Sequence, residues 1–180
     1  MLFDAIEFAA HAHAGQYRKG SPVPYIVHPI NVVRIVLNCG CSETVAVAAV
    51  LHDTVEDTAV TLDQIRDRFG CPVAALVEGM TEPEKGLPWQ ARKEHTLLVL
   101  TGAGRDLLML ACADKLDNVR SIHEDLLARG EKLWTVFRRP REAQRWYYES
   151  LVDVLRPRMT EGSAAVLFRE FEREVRAVFG

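Results

Sequence analysis

Residues 45–58 read Val45-Ala46-Val47-Ala48-Ala49-Val50-Leu51-His52-Asp53-Thr54-Val55-Glu56-Asp57-Thr58. A seven-residue apolar run passes directly into an imidazole and three carboxylates. Ser42 stands where an N-cap would, with Glu43 in the first turn, so one helix is expected from there through Asp57. On that helix Glu56 is one turn from His52 and Asp57 one turn from Asp53, which places the four polar groups on one flank. The chain on either side is also helical in pattern. Leu2, Phe3, Ile6, Ala9 and Ala10 recur at three- and four-residue steps, giving an amphipathic helix over residues 2–14. Pro29 suits the first turn of a helix running to about Leu37. Thr61-Leu62-Asp63-Gln64 is a capping box, with Gly70 at the far end of its helix. Pro72 and Pro88 open two more, and Gly102 and Gly104 divide the second from a long helix over 105–129 that Gly130 closes. Helices over 140–155 and 163–179 complete the set. No segment alternates as a strand does. The expected fold is all-α, a single bundle of about eight to nine helices. Residues 1–155 form the domain, and residues 156–180 hold a C-terminal helix packed on it. Gly15–Pro29 is the one early loop, and Thr81–Trp89 reads as a surface loop or a flap.

Composition narrows the function. The 180 residues carry 22 Lys+Arg against 25 Asp+Glu, a net charge of −3, and 48% are hydrophobic. Disordered and fibrous classes drop out. A mildly acidic chain is poorly suited to coating nucleic acid, which needs many Lys/Arg–phosphate contacts; one small anion held by a local cluster is not excluded. The longest apolar runs, Val45–Leu51 and Leu107–Ala113, are far below the roughly 20 residues of a membrane helix. Acids occupy the N-terminus where a signal peptide carries bases. Cys39, Cys41, Cys71 and Cys112 form no CxxC pair. These features predict a cytoplasmic protein with reduced thiols, no membrane and no nucleic-acid partner. They set no oligomeric state.

Three carboxylates and an imidazole sharing one apolar site would repel and desolvate badly with nothing to neutralise them. A divalent cation resolves the conflict. His52 and Asp53 supply two ligands, and two further positions break apolar patterns in the same way. Asp114 follows Leu107–Ala113, with Asn118 one turn on, and His28 sits between Tyr25-Ile26-Val27 and Pro29. A mixed imidazole–carboxylate set suits Mn²⁺, Fe²⁺ or Zn²⁺ better than Ca²⁺, and without a nearby thiolate it points to a catalytic ion, not structural zinc. Taken singly, each position has a plainer reading: His28 as a hydrogen-bonded core residue, Asp114 paired with Lys115 or Arg120, Asn118 as a surface amide. His11 and His13, two apart on a helix, face different ways. His95 and His123 lie in charged surroundings that predict exposure, and Arg138–Arg141 reads as a solvated helix start.

The strings Ala12-His13-Ala14-Gly15-Gln16-Tyr17-Arg18-Lys19, Pro24-Tyr25-Ile26-Val27-His28-Pro29, Leu51-His52-Asp53-Thr54-Val55-Glu56-Asp57-Thr58 and Ala113-Asp114-Lys115-Leu116-Asp117-Asn118-Val119-Arg120 stand in this order along the chain. Together they resemble the HD-domain metal phosphohydrolases, and within them the hydrolase domain of the RelA/SpoT family. The resemblance implies a single HD-domain helical bundle of the small stand-alone alarmone hydrolase type. It implies that His28, His52, Asp53 and Asp114 bind one metal, usually Mn²⁺, with Fe²⁺ or Zn²⁺ as alternatives. It implies that Glu56 and Asp57 orient and activate the attacking water. Arg18, Lys19 and Asn118 match residues of the nucleotide and phosphate pocket, and Tyr147 matches an aromatic bordering the nucleotide; without the resemblance Arg18-Lys19 reads as a solvated loop pair.

The implied reaction removes pyrophosphate from the 3′ position of (p)ppGpp, so the implied partner is a small nucleotide substrate. Lys115 and Asp117 depart from the family pattern, standing where many relatives carry Arg and His, and the 81–88 segment lacks the usual Lys- and Leu-rich sequence. Two other readings share the motifs. One is an HD phosphohydrolase for another nucleotide, an adenosine alarmone or a 2′-phosphorylated dinucleotide. The other is a domain that binds alarmone without hydrolysis, which would be expected to have lost a ligand or Glu56-Asp57.

Overall fold

The structure, a computed structural model, describes residues 1–83 and 86–180. Its elements are α1 (Leu2–Ala12), α2 (Val27–Asn38), α3 (Glu43–Leu51), α4 (Thr54–Asp57), α5 (Leu62–Phe69), α6 (Cys71–Met80), α7 (Trp89–Gly102), α8 (Arg105–Arg129), a 3₁₀ segment (Gly130–Val136), α9 (Arg141–Leu155) and α10 (Gly162–Phe179). Nine of the ten α segments are eight residues or longer, and the described residues contain no strand, only an isolated bridge between Tyr17 and Pro24. The all-α expectation holds. No helix of the described residues is long and apolar enough to cross a membrane.

The bundle is organised around α3. All seven residues of Val45–Leu51 are 0% exposed, because α1, α2, α6 and α8 pack around it. A helix apolar on every face is stable only when enclosed in this way. Its start follows the sequence: the Ser42 hydroxyl accepts a hydrogen bond from the Val45 amide. Its end does not. The helix expected to continue through Asp57 breaks after Leu51, and α4 is a separate single turn. Side chains divert the backbone acceptors there. His52 Nδ1 bonds the Ala49 carbonyl at 2.8 Å and the Thr54 hydroxyl donates to the Leu51 carbonyl at 2.7 Å. Such local bonds compete with the helical ladder. The break turns His52 and Asp53 toward α2 and α8, so the single-flank arrangement is replaced by a corner.

The other caps behave as read. Thr61 and Gln64 form a reciprocal capping box, Gly70 (φ 89°) separates α5 from α6, and α7 and α8 are divided at Gly102–Gly104. The 3₁₀ segment has no counterpart in the sequence reading. It packs near the 13–26 loop, where Gly20 adopts φ +69° and a Cβ would meet Val136 Cγ1 at 3.2 Å. That loop is held by backbone bonds from Arg18 N to Val23 O (2.8 Å) and from Tyr25 N to Gln16 O (2.9 Å). Of the 81–89 segment, residues 84 and 85 lie outside the described residues; Thr81–Pro83 and Gly86–Pro88 are non-helical, and α7 starts at Trp89.

α10 packs on α8 and α9. Leu167, Phe168, Phe171, Val175, Val178 and Phe179 join the same core cluster as α3. Truncating a fully buried aromatic removes its transfer energy and leaves a cavity, so Phe171→Ala is expected to lower the unfolding free energy by about 3–5 kcal/mol. Urea denaturation followed by circular dichroism measures it. A loss below about 1 kcal/mol would show that α10 unfolds apart from the bundle.

Candidate metal centre

Three parts of the fold deliver the candidate ligands to one place. His28 lies in the first turn of α2, His52 and Asp53 in the α3–α4 corner, and Asp114 in the middle of α8. His28, His52 and Asp114 are all buried, and one ligand atom from each lies within 4.8 Å of the others. His28 Nε2 is 3.1 Å from Asp114 Oδ1 and 3.6 Å from Asp53 Oδ2; His52 Nε2 is 3.1 Å from Asp53 Oδ2 and 3.6 Å from Asp114 Oδ1. The corner thus brings Asp53 against both imidazoles.

The donor chemistry fits a divalent ion. A carbonyl only accepts, so the bond from His52 Nδ1 to the Ala49 carbonyl puts the proton on Nδ1 and aims Nε2 at the cluster. That Nε2 is buried and, despite its nearness to the two acids, makes no hydrogen bond. An unsatisfied buried nitrogen beside two carboxylates is a costly arrangement unless something binds there. In the chain alone the groups compensate one another. Burial works against charge on His52, but Asp53 and Asp114 outweigh it and raise its pKa well above the usual histidine value. Asp114 is likewise held charged against its burial, by Lys115, His28 and His52. The two-nitrogen, two-oxygen set matches Mn²⁺, Fe²⁺ or Zn²⁺.

Each candidate ligand has an outer partner. The Tyr25 hydroxyl donates to Asp53 Oδ2 at 2.6 Å and lies 3.5 Å from Asp57 Oδ2. Burial, then the Asp53 charge, keeps that phenol protonated and donating. Asn118 Nδ2 donates to Asp114 Oδ1 at 2.6 Å, and Lys115 Nζ sits 2.7 Å from Asp114 Oδ2. The alternative reading of Asp114 as the partner of Lys115 is therefore also true of the structure, since one oxygen faces the lysine and the other the imidazoles. His28 Nδ1 lies 2.7 Å from Asp117 Oδ2.

Two cavities meet at the cluster. The smaller, about 230 Å³, is lined by His52, Asp53, Glu56, Asp57, Lys93 and Lys115, among others. Glu56 Oε2 accepts a hydrogen bond from the Glu82 amide at 3.2 Å. Burial, and then the Glu82 charge, raises the Glu56 pKa from its usual value. Glu82 itself is held by Arg92 at 2.6 Å and by Lys93. The larger cavity, about 540 Å³, is lined by residues that include Arg18, Lys19, Asn31, Asp117, Gln144 and Tyr148. Tyr25 and Asn118 line both.

Arg18 reaches across the larger cavity and donates to Asn118 Oδ1 (3.0 Å) and Ser121 Oγ (3.3 Å). Lys19 Nζ lies 4.7 Å from the centre of the Phe137 ring. Arg18 is thus half-buried in the cavity wall, whereas Lys19 stays exposed in its loop, as the plainer reading has it. Tyr147, which the resemblance matches to an aromatic bordering the nucleotide, is not among the residues lining either cavity. It is buried against Trp89 and Trp146, beneath Lys93, with its pKa pushed up to about 12 by burial. Its neighbour Tyr148 lines the larger cavity instead. Consecutive helical residues point about 100° apart, so the two adjacent tyrosines reach different surroundings.

Of the unassigned histidines, His13 is buried and bonded to Gln16 (2.8 Å), while His11 is exposed beside Glu7. His123 is half-exposed and bonded to Glu174 at 2.9 Å. The sequence reading assigned no role to Tyr25, Lys93 or Glu82. Tyr25 stood inside a quoted string, whereas Glu82 and Lys93 meet Glu56 only through the packing of α7 and carry no local signal.

An HD domain family model matches residues 5–139. Over 125 residues the chain is 42% identical to the mouse protein named guanosine-3′,5′-bis(diphosphate) 3′-pyrophosphohydrolase MESH1, covering 68% of this chain and 69% of that protein. Over 120 residues it is 40% identical to the Aquifex aeolicus protein named guanosine-3′,5′-bis(diphosphate) 3′-pyrophosphohydrolase, covering 66% of this chain but only 17% of that longer protein. A solved metazoan ortholog of SpoT, described as hydrolysing ppGpp, superposes with a TM-score of 0.79 at 31% identity, covering 98% of this chain and 96% of that one. With three-quarters of its length matched by the model and two-thirds of the mouse protein covered, the chain belongs to the HD domain family, alongside the pyrophosphohydrolases of the SpoT type.

Proposed function

We propose that the chain is a Mn²⁺-dependent cytoplasmic enzyme that hydrolyses the 3′-diphosphate of guanosine alarmones, converting (p)ppGpp to GDP or GTP and pyrophosphate. We read α10 as part of the same domain. The carrying observation is the pair of cavities that meet at the His28–His52–Asp53–Asp114 cluster, the smaller lined by Lys93 and Lys115 and the larger by Arg18 and Lys19. The larger has room for a nucleoside, and the smaller for a diphosphate. The activity named for the mouse and Aquifex relatives and for the metazoan structure supports this choice of substrate.

In this reading His28, His52, Asp53 and Asp114 hold the metal. A divalent cation held there would supply a lowered pKa for a bound water, from about 15.7 toward neutrality, and polarisation of a phosphoryl oxygen. Glu56 and Asp57, on the wall of the smaller cavity, align the attacking water and accept its proton. The water oxygen forms a bond to the phosphorus attached to O3′, the P–O3′ bond breaks, the ribose oxygen takes up a proton, and pyrophosphate leaves. Lys93 and Lys115 offset the charge that gathers on the diphosphate. On the other side of the cluster, Arg18, Lys19, Asn118 and Tyr148 seat the nucleotide, Arg18 with a planar fork and Lys19 as a point charge.

With Mn²⁺ present, purified protein is expected to release pyrophosphate from ppGpp in a phosphate-coupled assay, and His52→Ala or Asp53→Ala is expected to abolish release. Undiminished turnover in either variant would sink the metal assignment. A substrate panel at equal concentration is expected to favour ppGpp over adenosine alarmones and 2′-phosphorylated dinucleotides. Glu56→Gln should keep its Mn²⁺, measured by elemental analysis, and lose about 10²- to 10⁴-fold in kcat; loss of metal instead would make Glu56 a ligand.

The pH profile adds an independent check. Glu56 acts only when ionised and its pKa is raised, so activity falls as pH drops through a value above the roughly 4.3 of a free glutamate. Glu82→Gln removes the repelling charge and is expected to move that acid limb to lower pH.

A further inference from the structure

His28 is gripped on both sides by one helix. Its Nε2 faces Asp114 Oδ1 at 3.1 Å, and its Nδ1 faces Asp117 Oδ2 at 2.7 Å. The two acids are three residues apart on α8, so they rise on the same face with the imidazole edge between them. All three side chains are buried. We propose that Asp117 is a positioning residue for the metal: it takes the Nδ1–H of His28, fixes the ring plane, and leaves the Nε2 lone pair aimed into the cluster.

The argument is one of donors and acceptors. A carboxylate acceptor 2.7 Å from a ring nitrogen calls for a proton on that nitrogen. The remaining nitrogen is then the one facing Asp53, Asp114 and His52. His52 is treated in the same manner by a different device, since its Nδ1 is satisfied by the Ala49 carbonyl of its own helix. The contrast matters for mechanics. The partner of His52 is three residues away in sequence, whereas that of His28 comes from 89 residues away and ties α2 to α8. A charged acceptor makes a shorter and stronger bond than a carbonyl, and it raises the basicity of the coordinating nitrogen.

This inference rests on the metal reading of the cluster, and the test separates the two. Mn²⁺ affinity is measured by isothermal titration calorimetry, without substrate, for the unaltered chain, Asp117→Ala and Asp117→Asn. Asp117→Ala is expected to bind Mn²⁺ about 10- to 100-fold more weakly. Asp117→Asn, whose amide oxygen still accepts from Nδ1–H, is expected to recover most of that loss. Equal affinity in Asp117→Ala and the unaltered chain, or an equal loss in both variants, overturns the positioning role. No Mn²⁺ binding by the unaltered chain overturns the metal reading itself, and this role with it. A second measurement needs no variant: ¹⁵N–¹H correlation spectra of the chain loaded with diamagnetic Zn²⁺. The expected signature is His28 with its proton on Nδ1 and the metal on Nε2; the opposite arrangement overturns the proposal even if Asp117→Ala fails to fold.

Discussion

Two imidazoles stand within 3.1–3.6 Å of two carboxylates at the end of a helix whose last seven residues are apolar and fully buried. Burying such groups is unfavourable unless each charge has a counter-charge and each polar atom a partner. Much of the architecture follows from that requirement. α3 stops short so that His52 and Asp53 can turn inward, α2 begins where His28 must sit, and α8 carries an acid through its centre. Tyr25, Lys115, Asp117 and Asn118 are placed to complete the hydrogen bonding around them. The apolar packing of α3 is what makes the cluster expensive, and the mutual compensation of the four groups is what makes it tolerable.

The fold was legible wherever local chemistry decides structure. Ser42, Thr61 with Gln64, Gly70 and the Gly102–Gly104 divide are short-range signals, and each acts where its residue type predicts. The candidate ligands were legible for a different reason: each places a polar group where the apolar pattern requires a hydrophobic one. What failed was an inference of helix continuity. A continuous helix through Asp57 was the natural extrapolation of a 3.6-residue period, but side-chain bonds from His52 and Thr54 to carbonyls of the preceding turn outcompete it. Tyr147 and Tyr148 are adjacent in sequence, and only the packing of α9 decides which ring reaches a cavity. Glu82 and Lys93 carry no local mark at all, because their nearness to Glu56 is a product of tertiary structure.

The charge balance also changes meaning with the fold. A net charge of −3 is unremarkable for a chain of this size, yet its distribution is not. Asp53, Glu56, Asp57 and Asp114 gather on one wall, while Lys93, Lys115, Arg18 and Lys19 stand on the walls facing or flanking them. Several of these cations are already engaged, Lys93 with Glu82, Lys115 with Asp114 and Arg18 with Asn118. The basic side chains are therefore pre-positioned by internal acceptors, which lowers the entropy lost when an anion arrives.

α8 contributes more than a ligand. Asp114, Lys115, Asn118, Ser121 and Asp125 line the two cavities in succession along this one helix. From Asp114 to Asp125 the axial rise is about 16 Å. A molecule seated in both cavities would be referenced at each end to a single rigid rod, not to separate loops. The helix then acts as a ruler: a substrate too short to span it loses one set of contacts, and one too long is displaced from the cluster. Selectivity for overall length would in that way be written into a backbone repeat, without a dedicated residue to read it.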